Sequence, residues 1–414
     1  MFLNNYHQIK NKEIYVVLFL ILFSIIIRLP AVFMFGDTNI ENEWGSLYKN
    51  LIIHGKLIYE NFGETLLPNL WMPPLYAYYI YFFSIFSSSE TVVTQLVLYS
   101  QVIMAGASVV FFYKLNKNFF SKNISFFNSL LFSIVPPHLY ACSQISSISL
   151  QIFLIILFLF FFFQIVKNYS FLSIVGFSIS SGMLILLRGE SIAIVSLSVI
   201  YLFLFFKVST KKIFLILFIT LITVSPYLIR NIIIFEKVII IKSFGYNFWR
   251  GNHPLALENS LVEGSEIHYG NLREQVKKIP KNNSYRFVFD KLYLDEGIKN
   301  IKKEPAGYLI LMIKKAMSFL LINYQSMDPK YFHPLNYLPL LFFGITSLVG
   351  ISLYNKQSLK YNYLLLVLLA YVGIFSLVAI LPRYKLIILP LQIIFTGVFI
   401  EKIKNYYAIL KKNK

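Results

Sequence analysis

The sequence predicts an all-α polytopic membrane protein, with about eleven transmembrane helices and two extracytoplasmic loop regions that carry amphipathic surface helices. Three observations predict it. The 414 residues are 57% hydrophobic and only 14% charged, whereas a water-soluble domain carries roughly 25% charged residues. Apolar segments, most of 16–23 residues, recur along the chain, and ~20 apolar residues suffice for a helix to cross a bilayer. The charges are also sorted. Lysines gather in short segments between apolar runs, while fifteen of the nineteen carboxylates lie in 35–72 and 231–332.

This sorting decides what the net charge of +19 means. A nucleic-acid partner would call for a basic patch on one surface. Here Lys10 and Lys12, Lys114 to Lys122, Lys207 to Lys212, Lys356 and Lys360, and Lys402 to Lys414 mark connections between apolar runs. Under the positive-inside rule these connections are cytoplasmic, so the charge reports topology and no nucleic-acid partner is expected. Both termini are then cytoplasmic, in a plasma (inner) membrane, and the first apolar run is an uncleaved helix. One cysteine, Cys142, allows neither an internal disulfide nor a thiolate metal cluster.

In chain order, residues 1–34 form the first membrane helix and 35–73 the first extracytoplasmic loop. A membrane helix bundle covers 74–228, a large extracytoplasmic loop 229–333, and C-terminal membrane helices with a basic cytoplasmic tail 334–414. In the first loop, Trp44, Leu47, Tyr48 and Leu51 repeat at helical spacing, which predicts a short amphipathic helix over 43–53. Segment 74–88 conflicts with its neighbours: if it crosses, the lysines from Lys114 onward fall on the wrong side. Segment 124–140 reads as one helix. In the large loop, Arg286 to Lys303 reads as a charged helix. The run from Gly307 to Tyr324 is split by Lys314 and Lys315, and two lysines at mid-span are costly. It is expected as an amphipathic helix at the membrane surface.

The first loop is also where chemistry concentrates. It holds Asp37, Glu41, Glu43, Glu60 and Glu64 beside His54, Trp44 and Trp71. Glu43 opens the short helix, where a carboxylate meets the helix dipole. It is also placed as a general base, which must lie within hydrogen-bond reach of the proton it takes; Asp37 and Glu41 compete for that role. Arg188, Arg230 and Arg383 lie at outer helix ends, and an arginine fork suits a phosphate. His54, His253, His268 and His333 are scattered without metal-ligand spacing, so no metal and no cofactor is expected.

With these residues in view, the chain resembles the GT-C superfamily of polytopic glycosyltransferases, most of all the branch of protein O-mannosyltransferases and the aminoarabinose transferase of lipid A. The first loop carries Glu43, Asn50, Leu51 and Gly55 at the family's spacing, followed by Trp71, Pro73, Pro74, Leu75 and Tyr76. Ser225 to Asn231 (SPYLIRN), Asn247 to Pro254 (NFWRGNHP) and Pro382 to Lys385 (PRYK) are similar to three further family elements, in the same order. The resemblance implies a sugar donor on a polyprenyl phosphate, a cell-envelope acceptor (lipid, polysaccharide or protein), membrane lipids as surroundings, and an inverting transfer. It implies a loop carboxylate as base, in the place of Glu43, and Arg383 and Arg230 at the donor phosphate. Arg188 and Lys385 join them as donor-phosphate residues. Trp71, Tyr76, Asn247, Trp249 and Asn252 are expected to bind substrate. A polysaccharide ligase or polymerase, or a transporter or flippase of lipid-linked sugars, is the alternative. A transporter, though, keeps ionisable residues at mid-membrane, and these spans are nearly free of charge.

Overall fold

The computed structural model describes residues 2–63, 65–259, 270–323 and 332–412. Helix α1 (Phe2–Phe35) leads into the acidic segment, which holds α2 (Asn42–His54) and a hairpin of β1 (Ile58–Phe62) and β2 (Thr65–Pro68). The amphipathic helix expected over 43–53 is α2. Its buried stripe is Trp44, Leu47, Tyr48 and Leu51, and Gly55 ends it in the left-handed region at φ 64°. The antiparallel hairpin was not foreseen, and it holds the strands found among the described residues.

The topological conflict at 74–88 resolves in favour of a segment that does not cross. Helix α3 (Pro74–Phe83) has ten residues. At 1.5 Å per residue it is ~15 Å long, about half of a ~30 Å hydrocarbon core. Helix α4 (Glu90–Asn116) therefore starts on the side bearing the acidic segment and ends beside Lys117. Segment 124–140 is two helices, α5 (Lys122–Ile134) and α6 (Pro136–Ala141). The physical cause is the Pro136–Pro137 pair. A residue before proline is driven out of the helical region, and Val135 sits at φ −63°, ψ 115°.

Helices α7 (Ile148–Asn168), α8 (Phe171–Leu187), α9 (Ser191–Leu204) and α10 (Thr210–Phe235) follow. The large loop folds as α11 (Phe244–Gly251), α12 (Pro254–Asn259), α13 (Gly270–Lys277), α14 (Tyr285–Lys303) and α15 (Pro305–Leu320). The chain closes with α16 (Pro334–Leu353), α17 (Leu359–Leu377), a 3-10 turn at Pro382–Ile387 and α18 (Leu389–Lys412).

Among the described residues six helices are long and apolar enough to cross a membrane: α1 from Glu13, α4, α7, α10, α16 and α17; α8 and α9 are apolar but shorter. The fold is thus that of a multi-pass membrane protein. Its apolar surface agrees, since α1 exposes Leu18, Phe19, Leu22 and Ile26, and α10 exposes Phe214, Leu217, Phe218 and Leu221. Water would penalise such stripes, whereas lipid takes them without cost. Helix α7 lies at the centre, packed against α4 and α8, and α16 packs against α18.

Helix α15 is amphipathic, as expected from its sequence. It buries Tyr308, Leu311, Lys315 and Phe319 and exposes Leu309, Ile310, Ile313 and Met317. Lys315 turns inward, and its Nζ donates to Asn252 Oδ1 at 3.2 Å and to the Val378 carbonyl at 3.4 Å. The Leu320 carbonyl at the end of α15 accepts from Gln392 Nε2 at 2.8 Å, which ties that end to α18.

A carboxylate and aromatic site at the loop-bearing end

The acidic segment is fastened from beneath. Asn69 forms its own turn ahead of Pro73 and Pro74: its Oδ1 accepts from the N–H groups of Trp71 and Met72 at 3.0 Å each, and its Nδ2 donates to the Met72 carbonyl at 2.7 Å. Arg230 on α10 reaches up to this turn. Its Nη1 donates to the Asn69 carbonyl at 3.0 Å and to Asn231 Oδ1 at 2.6 Å, and its Nη2 to the Leu57 carbonyl at 3.2 Å. Asn231 in turn donates to the Ile239 carbonyl at 2.6 Å. The SPYLIRN element thus holds the first loop to α10.

The three candidate acids stand in different surroundings. Asp37 is half-buried beyond α1, where its Oδ2 accepts from the Ile145 N–H at 2.6 Å. Burial raises its carboxyl above the usual range, the Ile145 N–H opposes that, and the charge of Glu41 adds to it. Glu41 precedes α2, is exposed, and makes no side-chain cap. Glu43, in the first turn of α2, is half-buried. Its charge is felt by Tyr59, whose phenol is raised first by burial and next by Glu43. Two side chains of α2 lace it to β1: Ser46 Oγ donates to the Tyr59 carbonyl at 3.2 Å, and Asn50 Nδ2 to the Ile58 carbonyl at 3.1 Å. The distance from Glu43 to Tyr59 is therefore set by a bonded frame.

Trp71 sits at the middle of an aromatic cluster. It stacks on Tyr59 with centroids 6.1 Å apart and meets Tyr246 edge-on at 5.0 Å. The Arg286 guanidinium of α14 lies 4.2 Å from the Trp71 ring and 4.8 Å from that of Phe289. Glu60 of β1 is the ion-pair partner of Arg286, and both side chains are buried. Burial draws the Arg286 guanidinium down to about 9. Glu60 and Arg286 were in view in the sequence only as one loop acid among five and as the start of a charged helix. No spacing signals a pair so distant in the chain.

Helix α11 carries the other expected substrate residues, and most of them hold it in place. Trp249 is buried between Tyr246, Tyr293 and His253. The Asn247 carbonyl accepts from the Ala379 N–H at 3.2 Å, and Asn252 Nδ2 donates to the Phe248 and Leu377 carbonyls at 2.7 and 2.8 Å. Asp290 of α14 accepts from the Tyr246 N–H at 3.1 Å and pairs with Lys242 at 3.2 Å. A Cβ on Gly245 would collide with the Asp290 carbonyl, and one on Gly251 with the backbone at Val378. Tyr76 is fully buried and donates to Gln101 Oε1 at 3.1 Å.

Two of the expected cations converge. Arg188 and Arg383 place their guanidinium groups 5.3 and 5.9 Å from the Tyr384 ring. Arg188 Nε also donates to Gln151 Oε1 at 3.2 Å. Lys385 is buried beside them in the chain, with its Nζ donating to the Leu340 carbonyl at 3.3 Å, and burial pushes its ammonium down to about 7. Asp37 meets the chain at Ile145 and Arg188 meets it at Gln151, so this acid and this arginine lie at the same end of α7. The histidines do not gather. His54 is exposed, His253 packs on Trp249, His333 accepts from the Leu335 N–H, and His268 lies outside the described residues. Among the described residues no three His, Cys, Asp or Glu side chains cluster as metal ligands do.

No protein-family model matches the chain, and no curated protein matches it. Solved structures do. The chain is similar to the archaeal oligosaccharyltransferase AglB of Archaeoglobus fulgidus in complex with an inhibitory peptide and a dolichol-phosphate, at 12% identity and a TM-score of 0.57, over 97% of this chain and 52% of that one. The Archaeoglobus fulgidus oligosaccharyltransferase in complex with Zn and sulfate matches at 13% identity and a TM-score of 0.55, over 95% and 50%. ArnT of Cupriavidus metallidurans, bound to undecaprenyl phosphate, gives 11% identity and a TM-score of 0.43 over 92% and 76%, a likeness too slight to build on. This chain spans about half the length of the oligosaccharyltransferase chains.

Proposed function

We propose that the chain, whose fold is similar to that of AglB, is an integral-membrane glycosyltransferase of GT-C type. It moves a sugar from a polyprenyl-phosphate donor to a cell-envelope acceptor on the extracytoplasmic face, with both termini in the cytoplasm. The observation that carries the reading is that Asp37 of the first loop and Arg188, which shares the Tyr384 ring with Arg383, meet the chain at the same end of α7. The AglB complex with a dolichol-phosphate supports a donor of this class.

In the reaction, an acceptor oxygen forms a bond to the anomeric carbon as the bond from that carbon to the phosphate oxygen breaks. The electron pair leaves with the phosphate, the acceptor proton goes to Glu43, and the configuration inverts. The phosphate is already a good leaving group, so the chain's main contribution there is charge stabilisation by fixed cations, the role of Arg188 and Arg383. Glu43 is favoured as base over Glu41, which faces water, and over Asp37, which already accepts from a backbone N–H. An oligosaccharyltransferase of this fold has been seen with Zn. The described residues of this chain gather no ligand set for it.

Lipid analysis of a strain lacking the protein tests the reading. A sugar-bearing polyprenyl phosphate should accumulate and an envelope component should lose a sugar; unchanged levels of both would refute it.

A further inference from the structure

We propose that Tyr59, Trp71 and Tyr246 form a subsite for a pyranose ring of the acceptor, so that the acceptor is a saccharide. The proposal rests on the transferase reading and deepens it. The three rings come from three separate elements: β1, the turn before α3, and α11. Each is half-buried, and they form the more accessible part of an aromatic cluster in which Trp249 and Tyr293 are buried. Here Arg286 lies against Trp71, is held by Glu60, and fixes the ring in orientation.

The chemistry of the surface suits a sugar. An aromatic face is electron-rich, while the C–H bonds on one face of a pyranose present slight positive charge and its hydroxyls point outward. A ring laid on this surface has its hydroxyls toward α2, which carries Glu43 and is laced to β1 beside Tyr59 by Ser46 and Asn50. The arginines suited to the phosphate flank Tyr384, and the base must touch the acceptor rather than the phosphate. A peptide acceptor binding as an added strand would need a free backbone edge. The Ile58 and Tyr59 carbonyls of β1 next to Glu43 are already taken by Asn50 and Ser46.

The test uses the full chain in detergent or nanodiscs, with a panel of methyl pyranosides, a Ser/Thr peptide and a diacylglycerol as acceptors, and labelled polyprenyl-phosphate sugars as donors. At least one methyl pyranoside should quench tryptophan fluorescence and accept sugar. Trp71→Leu should raise the acceptor KM at least tenfold, leave the donor KM within twofold, and be rescued by Trp71→Phe. Tyr246→Leu supplies the same readout should Trp71→Leu fail to fold. Transfer to the peptide or the diacylglycerol but to no saccharide overturns the proposal, as does an equal rise of donor and acceptor KM, which would assign the rings to the donor sugar. Binding of a methyl pyranoside that Trp71→Leu abolishes, without turnover of any donor, upholds the subsite and sinks the transferase reading.

Discussion

Glu60 of β1 and Arg286 of α14 form a buried ion pair that locks the first acidic segment to the large loop. Removing one partner of such a pair leaves an uncompensated buried charge, at about 3–5 kcal/mol, whereas replacing both by apolar residues is close to neutral. Glu60→Gln should therefore lower the apparent melting temperature sharply, and Glu60→Leu with Arg286→Met should recover most of it. A double variant no more stable than the single one would show that the pair does more than satisfy itself.

Glu43→Gln should reduce transfer by roughly 10²–10⁴-fold, the range for loss of a general base, without loss of expression or melting temperature. Glu41→Gln should change transfer by less than about tenfold, because that carboxylate faces water. Asp37 adds a pH signature. Its carboxyl is raised on folding, so the folded chain holds that proton more tightly than the unfolded one. The stability it contributes is present at low pH and is lost as pH climbs through the raised value. Asp37→Asn keeps an oxygen for the Ile145 N–H and should melt higher than wild type at pH 7, with the gap closing toward pH 4. Thermal unfolding across that interval measures it.

The arginines should divide into two kinds. Arg188→Ala and Arg383→Ala should raise the donor KM by ~10–100-fold, the worth of a lost charge-assisted hydrogen bond, and leave the acceptor KM unchanged. Arg230→Ala should act on folding first, because its guanidinium bonds the Asn69 and Leu57 carbonyls. Separate titration of donor and acceptor distinguishes the two kinds.

Lys385 predicts a slope in the alkaline range. Its ammonium is drawn down to about 7 by burial, against about 10.4 in an unfolded chain. Between those values the unfolded state binds the extra proton, so stability rises with pH. Lys385→Met should flatten that rise in an unfolding series from pH 7 to pH 10.

Orientation is open to direct labelling, since Cys142 is buried and silent. Cysteines at the exposed positions of Lys56 and Lys302 should react with an impermeant maleimide on intact cells. Those at Lys207 and Lys356 should react only after permeabilisation. Any reversal contradicts the proposed topology.

Much of the architecture was legible because it follows from local pattern. Apolar length marks α1, α4, α7 and α10, and the spacing of Trp44, Leu47, Tyr48 and Leu51 marks α2. One reading lost to backbone physics, since the Pro136–Pro137 pair split 124–140, and the question open at 74–88 closed on an α3 of ten residues. The candidate site was legible as residue types at one end of the bundle. Its division of labour was not, because Arg230, Asn247 and Asn252 bond to backbone atoms far along the chain. The hairpin that aligns Tyr59 and Glu60 escaped notice because its four- and five-residue strands carry too little alternation to stand out.

Gly245 and Gly251 have a bearing on how such a protein diversifies. With the backbone at Asp290 on one side and at Val378 on the other, α11 behaves as a shim of fixed thickness. A mutation that thickens it at either glycine would pry apart the two backbones it separates, so new substrate preferences would have to arise at residues other than these two glycines. The shim itself should pass unchanged between descendants that act on quite different substrates.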